Sequence, residues 1–139
     1  MLIDQRGAGK STPFGGVESN TTQLLASDLE LIRQTLGVDK WVLFGGSWGA
    51  ALAIYYAETY PQHVSAIVLR GTFLARRYDV DWFFENGASR LLPREWSEFV
   101  DGLKPFQRHE ESVQDCIHRC TFGEESSAVD KVAALWGRW

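Results

Sequence analysis

The stretch Trp41-Val42-Leu43-Phe44-Gly45-Gly46-Ser47-Trp48-Gly49-Ala50-Ala51 (WVLFGGSWGAA) decides how the rest of this chain is read. Residues 41–44 form a short continuous apolar run, the pattern of a strand buried on both faces of a parallel sheet. Residues 50–60 are alanine-rich and predict a helix that stops before Pro61, because a residue ahead of proline avoids the helical region. Between them, Gly45-Gly46-Ser47-Trp48-Gly49 satisfies G-x-S-x-G. A strand running in and a helix running out are what a nucleophile elbow requires, with Ser47 on a tight, strained turn. The close approach of strand and helix leaves no room for a Cβ two residues before or after the serine, and Gly45 and Gly49 stand there. The competing reading is a glycine-rich turn whose serine merely caps the helix.

Such a turn would favour chemistry in three ways. It lifts the Ser47 hydroxyl clear of its neighbours. It aims the Trp48 backbone N–H at a developing oxyanion, with the helix N-terminus adding favourable potential. It also lies at the carboxyl edge of the sheet, where open α/β proteins bind ligands. A serine hydroxyl needs a base to remove its proton, and here an acid and then a histidine should follow in chain order. His63 precedes the next strand, at the opposite edge of the sheet from Ser47. His109 and His118 fall among charged residues, as solvated surface histidines do. None stands where a base is needed.

Outward from this stretch, Asn20 followed by Gln23 predicts a capped helix start. Leu25, Leu29, Ile32 and Leu36 form its apolar stripe, and Gly37 its stop. Residues 64–69 are a second β-branched run. Helix, strand, helix, strand with short connections predicts an α/β architecture on a parallel sheet. After Thr72 the chain becomes aromatic-rich, without a strand pattern. Pro93 opens a helix with a Trp96, Phe99, Val100, Leu103 stripe, and Val129, Val132, Ala133 and Trp136 repeat the spacing. The expected division is a partial α/β core over residues 1–72 and a partial helical cap over 73–139. Met1-Leu2-Ile3 reads as the remnant of a strand, and the whole as the middle of a larger protein.

The 139 residues carry a net charge of −4, which argues against nucleic-acid or anionic-membrane partners. No apolar run approaches the ~20 residues of a membrane span. No basic region followed by an apolar stretch marks a secretory signal, so a cytoplasmic location is expected. Cys116 and Cys120 share one helical face, where free thiols behave as small hydrophobes. Two thiols fall short of the four ligands of a zinc site, and no metal or cofactor is expected.

The opening stretch DQRGAGKST resembles a phosphate loop in its second half. That loop needs G-x-x-x-x-G-K-[ST] and an immediate helix. Its first glycine would fall at position 4, which is Asp4, and Pro13 with Gly15-Gly16 forbids the helix. Nucleotide binding is therefore rejected; Asp4 and Arg6 are expected to pin a glycine-rich turn beside the site, satisfied locally or by each other.

GGSWGAALAIYYAETYP, LRGTF at residues 69–73, DWFFENGASRLLPREW at residues 81–96 and DQRGAGKSTP together resemble the proline iminopeptidases (prolyl aminopeptidases). These are serine peptidases of the α/β-hydrolase fold that remove N-terminal proline from peptides. The resemblance implies Ser47 as nucleophile, Trp48 as an oxyanion-hole N–H donor, and Arg70 near the substrate. It implies Phe73 and Phe83 around the proline ring, though both also fit plain packing. The family's HGGPG oxyanion loop, its amine-recognising cap glutamate, and its catalytic aspartate and histidine have no counterpart in these residues. The chain alone is therefore expected to be inactive. The rivals are an esterase or carbon–carbon bond hydrolase on the same fold, and a non-catalytic remnant; the oligomeric state is left open.

Overall fold

Thr21, not Asn20, opens the first helix: its extended backbone lets the hydroxyl accept a hydrogen bond from Leu24 N at 3.3 Å. Asn20 instead turns its amide to the Arg6 carbonyl at 3.5 Å. The computed structural model describes residues 1–123 and 126–139, which divide into two units, Met1–Ala75 and Arg76–Trp139.

In the first unit, α1 (Thr22–Thr35) ends where Gly37 takes a φ of +66°, a value that favours glycine. Strand β1 (Trp41–Gly46) leads through Ser47 into α2 (Trp48–Thr59), and strand β2 (Val64–Arg70) returns beside β1. The two strands are parallel, with Phe44 opposite Val68, Gly45 opposite Leu69 and Gly46 opposite Arg70. Tyr60, just before Pro61, has left the helical region at φ −127°, as the proline requires.

Three expectations change here. Residues 1–3 are irregular, and Leu2 is fully exposed, for the described residues place no strand beside them to complete a ladder. β1 is not buried on both faces: Val42 is 59% and Phe44 72% exposed, because nothing in this unit covers that side of the two-stranded sheet. On α1 the buried residues are Leu25, Ala26, Glu30 and Arg33, while Leu29 and Ile32 are half-buried and Leu36 is exposed. The helix is thus rotated toward its small and charged face. Ala26, Ala50, Ala53 and Tyr56 are buried with it, the alanines allowing α1 and α2 to close together.

Among its described residues the second unit contains helices and no strand. α3 (Arg77–Asp81) passes through a π-helical turn (Trp82–Asn86) into α4 (Ala88–Leu91), followed by α5 (Pro93–Leu103), α6 (Val113–Phe122) and α7 (Ser126–Trp136). Its core is Phe99, Leu103, Cys116, Cys120, Ala128 and Val132, with Trp96, Val100 and Trp139 packed against it. The α5 stripe is therefore the one read from the sequence. The α7 stripe is so only in part: Val132 is in the core and Trp136 stacks on Phe84, but Ala133 is exposed and the other core-facing residues are Ala128 and Leu135. Both thiols are fully buried, and burial pushes Cys116 up to about 11, so that thiol is not poised as a thiolate.

Candidate active site

Ser47 sits at φ +52° and ψ −120°, a left-handed conformation that an L-residue adopts at a cost of about 1–3 kcal/mol. Its side chain makes no capping hydrogen bond to α2, so the reading of Ser47 as an ordinary helix cap has no support. The backbone holds the turn instead. Ser47 N donates to the Arg70 carbonyl at 3.0 Å, and Ala50 N donates to the Ser47 carbonyl at 2.9 Å. The side chain is exposed at the carboxyl end of the sheet, with nothing packed over it in its own unit. Trp48 follows as the first residue of α2, in the turn where backbone N–H groups lack intrahelical acceptors.

The two flanking glycines differ. A Cβ on Gly45 would lie 2.2 Å from the Gly49 carbonyl oxygen and 2.6 Å from its carbon, both backbone atoms that cannot step aside. A Cβ on Gly49 would meet nothing within 4 Å. The expectation that both positions exclude a side chain is therefore half wrong. The crowding runs one way, from the helix carbonyl at Gly49 onto the strand at Gly45.

Arg70 ends β2 opposite Gly46 and shares its carbonyl with the serine turn. Its guanidinium is exposed and makes no ion pair or hydrogen bond among the described residues. Phe73 follows three residues on and is half-buried in the same unit. Phe83 belongs to the second unit, where it lies 5.2 Å from Phe84, 6.3 Å from Trp139 and 6.4 Å from Trp136, ring centre to ring centre. Phe83 is thus one ring of an aromatic cluster, with 42% of its surface still exposed.

The opening loop is no phosphate cradle: residues 6–20 form turns and bends without a helix. Asp4 accepts from Lys10 N at 2.9 Å, so an acid sits where a phosphate would need a donor. A Cβ on Gly9 would fall 2.3 Å from that carboxylate, and Gly9 has φ +57°. Arg6 does not pair with Asp4. It grips Asp28 of α1 with two bonds of 2.6 and 2.8 Å and reaches the Ser19 carbonyl at 3.0 Å. The loop and the start of α2 line one broad cavity, in which Asp4, Arg6, Gly7, Trp48 and Gly49 take part.

His63 lies just before β2, at the end of the sheet away from Ser47. Its Nδ1 is 3.0 Å from the Asp39 carbonyl, and its Nε2 is 3.9 Å from Glu30 Oε1. His109 and His118 are exposed. What the motif reading missed is the buried group around Glu30. Glu30 Oε1 accepts from Arg33 Nη2 at 2.7 Å and Gln34 Nε2 at 2.8 Å; Oε2 accepts from Arg33 Nε at 2.9 Å and Tyr56 Oη at 2.7 Å. Arg33 beside it, with the Tyr56 and Gln34 bonds, holds the Glu30 carboxyl down to about 2 despite its burial. Burial and the Glu30 charge push the Tyr56 phenol up to about 12. A carboxylate three residues from an arginine, one turn after Ala26, was the available signal.

A family model described as the alpha/beta hydrolase fold matches residues 1–135. A protein of Xylella fastidiosa (strain 9a5c) named proline iminopeptidase is 40% identical over all 139 residues, which correspond to 44% of its own length. One of the same name from Arabidopsis thaliana is 42% identical over the whole chain, 36% of its length. A third, from Neisseria gonorrhoeae, is 39% identical, again with 44% of its length covered. The chain thus spans less than half of these curated relatives. Strand, strained serine turn, helix and parallel return strand agree with that match: the chain belongs to the α/β-hydrolase fold family.

Proposed function

We propose that this chain carries the nucleophile turn of a serine aminopeptidase that releases N-terminal proline from peptides. The observation that carries the reading is Ser47 itself, strained to φ +52°, exposed, and making no capping bond that would account for it. The likeness to proteins named proline iminopeptidase along the full chain supplies the substrate class. The sheet flanked by helices over the first unit is the partial hydrolase core, and the helical second unit is the start of the cap.

In this mechanism the Ser47 hydroxyl adds to the carbonyl of an N-terminal proline, passing its proton to a base. The Trp48 N–H receives the oxyanion. Collapse breaks the peptide bond, the base returns the proton to the leaving amine, and a prolyl ester remains on Ser47. Water then releases free proline and restores the hydroxyl. Arg70 and Phe73, which follow the serine turn in the same unit, bind substrate beside it. The reaction runs without metal or cofactor, in the cytoplasm. The base and its acid partner are supplied by none of His63, His109 or His118, so the 139-residue chain by itself is expected to be inactive.

Turnover of proline p-nitroanilide tests this in two preparations. The 139-residue chain should give none. A polypeptide of the relatives' length carrying this sequence should turn it over, and Ser47→Ala should remove at least about 10³-fold of kcat while leaving the circular-dichroism spectrum unchanged. Full activity in that variant rejects Ser47 as nucleophile. Faster hydrolysis of p-nitrophenyl acetate than of the proline amide assigns the site to an esterase instead.

A further inference from the structure

The Glu30 group lies at the end of the first unit away from Ser47, yet it is bonded to α2 and to the segments just ahead of both strands. Tyr56, two turns and more along α2, donates its hydroxyl to Glu30. Arg33, held by both Glu30 oxygens, donates onward to the carbonyls of Val38 and Asp39, the last with a 3.2 Å bond, just ahead of β1. His63, just ahead of β2, shares that Asp39 carbonyl at 3.0 Å. The far end of α2 and the feet of both strands are thus tied, directly or through one arginine, to a single buried carboxylate. At the other end the same strand and helix meet so closely that a Cβ on Gly45 would strike Gly49 at 2.2 Å. Their approach there depends on the angle at which they diverge, and a helix clamped at its far end behaves as a lever.

We propose that Glu30 is a positioning residue for the serine turn: through Tyr56 and Arg33 it fixes the divergence of β1 and α2 and so holds Ser47 in its left-handed conformation. The proposal deepens the reading of Ser47 as the reactive residue, but it stands on backbone geometry and is tested without catalysis. The turn's two backbone bonds, Ser47 N to Arg70 O and Ala50 N to Ser47 O, report on it through amide hydrogen exchange.

In the 139-residue chain, Tyr56→Phe removes one bond to Glu30 and keeps the ring. Leu25→Ala, in the same α1–α2 layer, serves as a control that weakens the core without touching the carboxylate. The two variants are compared by NMR at matched global stability. Tyr56→Phe should exchange the Ser47 and Ala50 amides about tenfold faster than Leu25→Ala does. Equal exchange at those two amides overturns the proposal and leaves Glu30 an ordinary core anchor. Should Tyr56→Phe fail to fold, Glu30→Gln, which keeps the side chain's shape but loses the charge that Tyr56 and Arg33 bond, is held to the same criterion in the same comparison. Loss of peptidase activity plays no part here, so failure of this idea and failure of the aminopeptidase reading are told apart.

Discussion

Gly45 and Gly49 are the same residue type, placed symmetrically about Ser47, and alanine should act with opposite sign at the two. At Gly45 the added methyl meets the Gly49 backbone at 2.2 Å, and helix and strand must part to admit it. A cost of about 1–3 kcal/mol follows for overpacking of this kind. At Gly49 the methyl meets nothing within 4 Å, and an alanine within a helix is favoured over glycine by about 0.5–1 kcal/mol. Urea midpoints should therefore fall for Gly45→Ala and hold or rise for Gly49→Ala. A neutral Gly45→Ala would falsify the close approach. G-x-S-x-G made the serine legible but could not separate its glycines. The clash is directional, from a helix carbonyl onto a strand Cα, and the motif is written as though both sides were equal.

Between the elements, both units use a carboxylate held by an arginine, and this fixes how they respond to acid. Glu30 bonds Arg33, Gln34 and Tyr56; Glu111 bonds Arg119 at 2.7 and 2.8 Å and accepts from Arg108 N at 2.9 Å. Each carboxyl is held down to about 2, first by its arginine hydrogen bonds. A lowered folded-state value means that each contributes stability fully present above the ordinary carboxylate range near 4.5. That contribution drains away as pH falls from there toward about 2. We expect each to contribute on the order of 1–3 kcal/mol at neutral pH. The Tyr56 phenol works in the other direction: raised to about 12, it contributes below pH 10 and is lost as pH rises through 12. Urea unfolding between pH 6 and 2.5 checks the acid limb, and Glu30→Gln should flatten its slope. A slope that the variant leaves untouched sinks the assignment. These anchors were poorly legible because periodicity arguments look for apolar stripes, whereas α1 buries a charged pair beside Leu25 and Ala26. The α7 stripe was misplaced in part, for a related reason. Val129, Val132 and Ala133 fit helical spacing as well as Ala128, Val132 and Leu135 do, so a helix apolar on most sides cannot name its own buried face.

Over the whole chain, burial is uneven, and this was the least legible property of all. The alternation of helix and strand predicted the parallel pairing, and β2 returned beside β1 with Arg70 at the serine turn as expected. Whether a strand's faces are covered depends on neighbours far away in sequence, so residues 41–44 looked like an interior strand while Val42 and Phe44 stand largely open. The second unit, by contrast, closes on itself around Leu103, Cys116, Cys120 and Val132, all at or below 1% exposure. Mutational cost should follow this asymmetry rather than side-chain size. Leu103→Ala opens a cavity in a closed core and should cost about 2–5 kcal/mol. Phe44→Thr removes a larger ring but retains a β-branched residue on an uncovered strand face, and should stay within about 0.5 kcal/mol of the parent. The same exposed patch should bind the dye ANS, and Phe44→Thr should lower that fluorescence where Leu103→Ala does not. Thermal or urea unfolding of the two variants of the 139-residue chain decides the matter. If Phe44→Thr costs as much as Leu103→Ala, the Phe44 ring is covered in solution and the open face of β1 is not a property of the chain.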